Sequence, residues 1–204
     1  MKQDKFLVQW RSFAAALVLL MSVQAPAAHA ADAKKMQIDN SSFRCLTEMT
    51  SVRHFYVDNL LGNLKDTVAV AKSEKGGIYP PGSVVQLVPG EVMVKHAPGY
   101  NAATRDWEYF ELDVSKQGTS IRKRGFADVV NRFGGNCFTC HVKSKPEFDS
   151  ICEMGHGCDA IPLSRQMIHA IQNSDLRCKS SQLTDEDKLA LKQLEAFQKA
   201  NAPK

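Results

Sequence analysis

The chain has 204 residues, 44% of them hydrophobic, and carries 26 Lys and Arg against 22 Asp and Glu, a formal net charge of +4. This near-balance gives no electrostatic footprint for nucleic acid, and no stretch is apolar for the ~20 residues that a membrane-spanning helix needs. Six cysteines make the redox compartment the first question.

Residues 1–30 have the pattern of a secretory signal peptide. Lys2, Lys5 and Arg11 form a basic start, Phe13 to Val23 an apolar stretch too short to span a bilayer, and Ala28-His29-Ala30 a small-x-small cleavage site. The expected product is exported, to a bacterial periplasm, with cleavage after Ala30. Losing this segment, which also holds Asp4, lowers the net charge by two. The remainder has room for one domain with a single core. Its expected layout is a flexible polar leader over 31–42, a main domain over 43–180 and a C-terminal helix over 181–204.

From Cys45 to Leu61, Met49, Val52, Tyr56 and Leu60 recur at intervals of three and four, which predicts an amphipathic helix. Leu64, Val68 and Ala71 continue at helical spacing after Gly62, and Gly76-Gly77 stops the pattern. After the Tyr79-Pro80-Pro81-Gly82 turn the period changes. Ser83–Val88, Glu91–His96, Asp106–Val114 and Thr119–Arg124 are short, rich in β-branched and aromatic residues, and separated by Pro89-Gly90, Pro98-Gly99 and Gln117-Gly118. Close spacing without intervening helices predicts an antiparallel meander. Within it Val92 and Val94 face away from Glu91, Met93 and Lys95, and Trp107 and Tyr109 face away from Glu108, Phe110 and Leu112.

The stretch that carries chemistry is Gly134-Gly135-Asn136-Cys137-Phe138-Thr139-Cys140-His141. Cys-x-x-Cys-His is the spacing that attaches a c-type haem. Cys137 and Cys140 can each form a thioether with one of the two vinyl groups of a porphyrin, and His141 then lies beneath the iron as its proximal ligand. Gly134 and Gly135 would let the backbone run close to a flat macrocycle. The competing readings are weaker. Zinc needs a second ligand pair at matching spacing, whereas Cys152 and Cys158 have five residues between them. A redox dithiol belongs at the start of a helix in a βαβ pattern, and none is present here. One haem c per chain is the cofactor expected.

Four cysteines remain: Cys45, Cys152, Cys158 and Cys178. In an oxidising compartment they predict two disulfides, in any of three pairings. A bridge among the last three would staple the segment after the haem motif, and the loop Cys152-Glu153-Met154-Gly155-His156-Gly157-Cys158 reads as a disulfide loop rather than as a metal site using His156. Ser164 to Asn173 is predicted helical, with Met167, Ile168 and Ile171 on its apolar side. Thr184 caps a last helix, whose first turn is acidic at Asp185, Glu186 and Asp187 and which docks through Leu191, Leu194 and Phe197 before ending at Asn201-Ala202-Pro203.

Three stretches together resemble the cytochrome P-460 family, which includes the β-sheet cytochromes c′: Tyr79-Pro80-Pro81-Gly82-Ser83-Val84-Val85, then Val92-Met93-Val94-Lys95 with Asp106-Trp107-Glu108-Tyr109, then Cys137-x-x-Cys140-His141. The resemblance implies an α+β fold, an antiparallel sheet with packed helices, commonly a homodimer, and a haem whose distal side faces the sheet. It also implies oxidation of hydroxylamine or binding of nitric oxide at the iron, with a redox partner protein. Oxidising members carry a lysine cross-linked to the porphyrin. Gln86 and Leu87 stand where that lysine is placed here, and the nearest strand lysine, Lys95, reads as solvent-facing. The sixth iron position is either open, beside apolar groups such as Phe110 or Val85, or filled by one of His96, His156, His169, Met93, Met154 and Met167. Filled, it makes the chain a non-enzymatic electron carrier. Glu91 and Glu108 are the strand carboxylates available as proton acceptors, although exposure is the default for both.

Overall fold

The computed structural model describes residues 36–179 and 182–200. The expected signal peptide, the first residues of the leader and the closing Asn201-Ala202-Pro203 lie outside them. The fold is α+β. Six strands, β1 (Thr50–Val52), β2 (Phe55–Asn59), β3 (Ser83–Val88), β4 (Glu91–Lys95), β5 (Trp107–Ser115) and β6 (Gly118–Gly125), form one sheet. They pair antiparallel in sequence order. Four α-helices join it: α1 (Leu64–Lys72), α2 (Cys137–His141), α3 (Arg165–Asn173) and α4 (Asp185–Ala200). Among the described residues no helix is long and apolar enough to cross a membrane.

The meander and its facing follow the expected alternation, and the sheet is covered on both sides. Val57, Val85, Met93, Trp107 and Tyr109 enter one core with Ala71 of α1, Val129 and Ile151. Val84, Val92, Val94, Phe110 and Leu112 enter the other with Ile38, Phe43, Leu46 and Met49 from the N-terminal segment. Residues from 36 on, read as the end of a loose leader, are docked on the sheet edge. The Arg124 guanidinium donates to the Ile38 carbonyl at 2.8 Å, and the Ile121 N–H donates to the Asn40 side chain at 2.9 Å, which covers part of the β6 edge.

The helix expected over Cys45–Leu61 does not form. A short 3₁₀ turn at Leu46–Glu48 leads into the β1–β2 hairpin. Its tight turn passes through Arg53 at φ 52° and pairs Val52 with Phe55. Two apolar faces explain the misreading. Phe55 and Val57 enter one core while Tyr56 and Leu60 pack against the other, so the three-and-four spacing joined residues that belong to opposite sides of a strand. The helix at Leu64, Val68 and Ala71 does form.

Two further expectations are corrected by the double covering. Lys95 is 5% exposed, and its ammonium pairs with Asp149 at 2.7 and 2.9 Å and with the Arg105 carbonyl at 2.6 Å. Glu108 is buried between His96 and Arg124. Helices α3 and α4 form with the expected caps: Ser164 caps the first, and Thr184 and Asp187 bond reciprocally at the start of the second, although of Leu191, Leu194 and Phe197 only Leu194 is buried. Ile168, Ala190 and Leu194 are buried, and Gln172 ties α3 to the carbonyls of His54 and Leu87.

Disulfides join Cys45 to Cys178 and Cys152 to Cys158. The first links residues 133 apart in sequence and the second residues 6 apart. Loop-closure entropy makes the long bridge worth about 5 kcal/mol and the short one about 2 kcal/mol. Chemical denaturation of the Cys45→Ser/Cys178→Ser variant is expected to show the larger loss of stability, and of Cys152→Ser/Cys158→Ser the smaller.

Candidate functional site

The Cys-x-x-Cys-His motif occupies α2, a short helix fixed at its start by side chains. Asn136 caps it, its side-chain oxygen accepting from the Thr139 N–H at 2.8 Å while its amide donates to the Ala127 carbonyl at 2.9 Å. The approach is a turn closed by Asn131, which accepts from the N–H groups of Phe133 and Gly135. Gly134 sits in that turn at φ +83°, which only glycine adopts without strain, and the space beside its Cα is open. The glycine is thus required by the turn itself.

The side chain of His141 is oriented from behind. Its Nδ1 lies 2.7 Å from the Ser150 carbonyl oxygen. A carbonyl only accepts, so Nδ1 carries the proton and Nε2 keeps a free lone pair. Burial holds the imidazole below its ordinary pKa, against the smaller opposing effect of that hydrogen bond, so the ring is neutral at pH 7. A neutral imidazole with a fixed tautomer is the form that ligates a metal. Its ring packs on Tyr109, centroid to centroid 5.4 Å, so in this conformation the sheet meets the imidazole directly, where the resemblance implies that it faces the far side of a haem. The Tyr109 hydroxyl is buried with no hydrogen-bond partner.

Cys137 and Cys140 are free thiols, whereas the other four cysteines are bridged. Burial, then the nearby carboxylates of Glu91 and Glu111, push the Cys137 thiol up to about 12. Burial, then Asp159, raises Cys140. Both are protonated at neutral pH, the opposite of the lowered thiol pKa that drives a redox dithiol. A zinc knuckle also lacks its second pair, because the remaining sulfurs are in disulfides. The one three-residue cluster with metal-ligating atoms among the described residues is Cys45, Asp175 and Cys178, and its two sulfurs are bonded to each other.

The surroundings of the motif are apolar, the kind of lining that a large flat apolar group needs. Cys137 and Phe138 pack on the core that holds Val85, Met93 and Tyr109. Val130, Phe133 and Val142, flanking α2, are 41%, 44% and 49% exposed, an apolar skirt that such a group would shield from water. A cavity of about 510 Å³ opens between the β1–β2 hairpin and α3, and none of the three motif residues lines it.

The other candidates are distributed by the sheet. Val85 and Glu91 lie on the face toward α2, whereas Phe110 and Glu108 lie on the opposite one. His96 bonds Glu108 at 2.7 Å and stacks on Tyr100. His156 stacks on Phe148, with Nδ1 2.8 Å from the Ile151 carbonyl. His169 contacts Asp187 and Asn173. Met93 is a core residue, Met167 is half-buried on α3, and Met154 is 87% exposed on the disulfide loop.

Sequence reasoning missed Asp149, Ser150 and Glu111. Glu111 is fully buried directly across from Glu91 in the β4–β5 register. One of its oxygens takes bonds from Arg132 at 3.0 and 3.1 Å and pairs with Arg122 at 3.1 Å, while the other has no partner. Its alternation with Tyr109 on a strand was the only available signal.

No family model matches the chain, and neither does any curated protein or solved structure.

Burial, then the facing Glu111 carboxylate, raise Glu91 to about 7. A carboxyl raised on folding contributes its stability below the unfolded pKa and loses it as the pH rises through the folded one. Denaturation curves are therefore expected to lose up to about 3 kcal/mol of stability between pH 4.5 and 8 from this group, and Glu91→Gln is expected to remove that part of the slope.

Proposed function

We propose that the chain is an exported mono-haem c-type cytochrome, with haem c attached through Cys137 and Cys140 and its iron ligated by His141. The observation that carries the reading is the Cys-x-x-Cys-His helix with unpaired thiols and a neutral His141 whose Nδ1 is bound to the Ser150 carbonyl. Bound there, the haem supplies a reversible one-electron couple and an iron position for a small ligand. The residues of the chain do the rest. Ser150 fixes the imidazole tautomer, and Cys137 and Cys140 fix the position of the macrocycle. Tyr109 supports the imidazole from the sheet. Glu91, held near neutrality beside Cys137, is the group on this face able to exchange a proton at physiological pH.

The activity this supports best is redox or small-gas chemistry at the iron, with nitric oxide or hydroxylamine as the ligand class, in keeping with the resemblance to the cytochrome P-460 family. Lys95 is committed to Asp149, which argues against its serving as a porphyrin cross-link. Ligand binding is accordingly favoured over hydroxylamine oxidation. The second reading is a six-coordinate electron carrier. It is favoured by Lys143 and Lys145, exposed just after α2, a basic surface suited to brief docking of an acidic redox partner protein. The P-460-type homodimer is a further part of the proposal.

Production of the full precursor in a bacterium equipped for c-type maturation tests the reading. The expected result is covalent haem on the peptide that spans Cys137 and Cys140, lost in Cys137→Ala/Cys140→Ala, and a ferrous spectrum that changes on adding nitric oxide. A low-spin spectrum indifferent to the gas would leave the electron carrier. No covalent haem on the wild-type chain would overturn both.

A further inference from the structure

Asp149 and Ser150 are consecutive non-glycine residues in the left-handed region, at φ 47° and 68°. Each such residue costs roughly 1–2 kcal/mol, and the strain persists only where surrounding contacts over-determine it. Here they come from the sheet. Lys95 of β4 holds both carboxylate oxygens of Asp149, at 2.7 and 2.9 Å. The Tyr79 N–H donates to the same carboxylate at 2.9 Å, and the Trp107 indole N–H donates to the Asp149 carbonyl at 2.7 Å. The Lys95 and Asp149 side chains are 6% and 1% exposed. The carbonyl this strained turn presents next is that of Ser150, on His141 Nδ1.

We infer that the buried Lys95–Asp149 pair is a positioning device for His141, pinning the left-handed Asp149–Ser150 turn to the sheet so that the Ser150 carbonyl stays on the imidazole. The inference rests on the haem reading for its functional consequence and on the geometry of the apoprotein for its existence. Hydrogen bonding at Nδ1 increases the basicity of Nε2 as a ligand, which stabilises the ferric over the ferrous state. Loosening the turn therefore weakens the iron–imidazole bond and raises the reduction potential. Neither Lys95 nor Asp149 touches the reacting centre; they act through Ser150.

The test compares Lys95→Met with the double variant Lys95→Met/Asp149→Leu, in the mature full chain. The single variant strands a buried carboxylate and risks unfolding, whereas removing both charges together is often tolerated. Val94→Ala, on the opposite face, serves as a control that lowers stability without touching the turn. In the double variant haem attachment through Cys137 and Cys140 is expected to persist. The ferrous iron–imidazole stretching frequency is expected to fall, and the reduction equilibrium to shift about tenfold toward ferrous, or about 59 mV for one electron. An unchanged stretch and potential in the double variant would overturn the inference, as would the same shifts in Val94→Ala. If the wild-type chain carries no covalent haem, the functional reading fails separately, and NMR of the haem-free chain decides the geometric claim. A His141 Nδ1 proton protected from exchange in the wild type and unprotected in the double variant supports it, and equal protection in both rejects it.

Discussion

Burying the strand pair β4–β5 on both faces obliges its charged side chains to find partners, and much of the architecture follows from that constraint. A buried charge left unpaired costs several kcal/mol. Lys95, Glu108 and Glu111 are all buried, and each recruits a partner from a different part of the chain. Lys95 takes Asp149 from the segment after α2. Glu108 takes Arg124 from the neighbouring edge strand, along with His96. Glu111 takes Arg132 from the turn that leads into α2. Two of these three pairs therefore pin the segments immediately before and after Cys137-x-x-Cys140-His141, so the motif is held at both ends by the sheet.

The same constraint accounts for the electrostatics of the site. Glu91 faces the fully buried Glu111 across the strand pair, and a carboxyl beside another in a desolvated space ionises less readily. Burial, then the facing Glu111 carboxylate, raises Glu91. Their negative charge reaches Cys137 and, with burial, keeps its thiol protonated. His141 is controlled by geometry instead: one carbonyl sets its tautomer and burial keeps it neutral. A motif that is only a spacing in the sequence thus acquires a defined protonation state.

The disulfides stabilise around this arrangement at two scales. Cys152–Cys158 closes a small loop just beyond Ser150, whose His156 stacks on Phe148. Cys45–Cys178 ties the start of the fold to the segment after α3, where Asp175 also receives the Leu46 N–H at 3.0 Å. The long bridge therefore fixes the N-terminal segment that covers the Phe110 face, and the short one stiffens the segment behind the imidazole.

The sequence by itself determined the meander from Ser83 to Arg124, the facing of Val92 against Met93 and of Trp107 against Phe110, the caps at Ser164 and Thr184, and the three residues of the motif. These are local matters: a period of two, a short polar cap and a fixed spacing can be read without knowing what lies across the fold. Only the tertiary structure decided the β1–β2 hairpin, because Val52, Tyr56 and Leu60 match a helix until it is known that two separate cores claim them. It alone chose the disulfide pairing, since three were chemically equivalent in the sequence. It alone revealed that Lys95 and Glu108 are buried, because polarity predicts exposure until an oppositely charged partner, distant in sequence or on a neighbouring strand, is brought alongside. Asp149 and Ser150 had no sequence signal, since Ser150 meets His141 through a backbone carbonyl that any residue could supply, and the partner of the Asp149 carboxylate, Lys95, lies 54 residues away in the sequence.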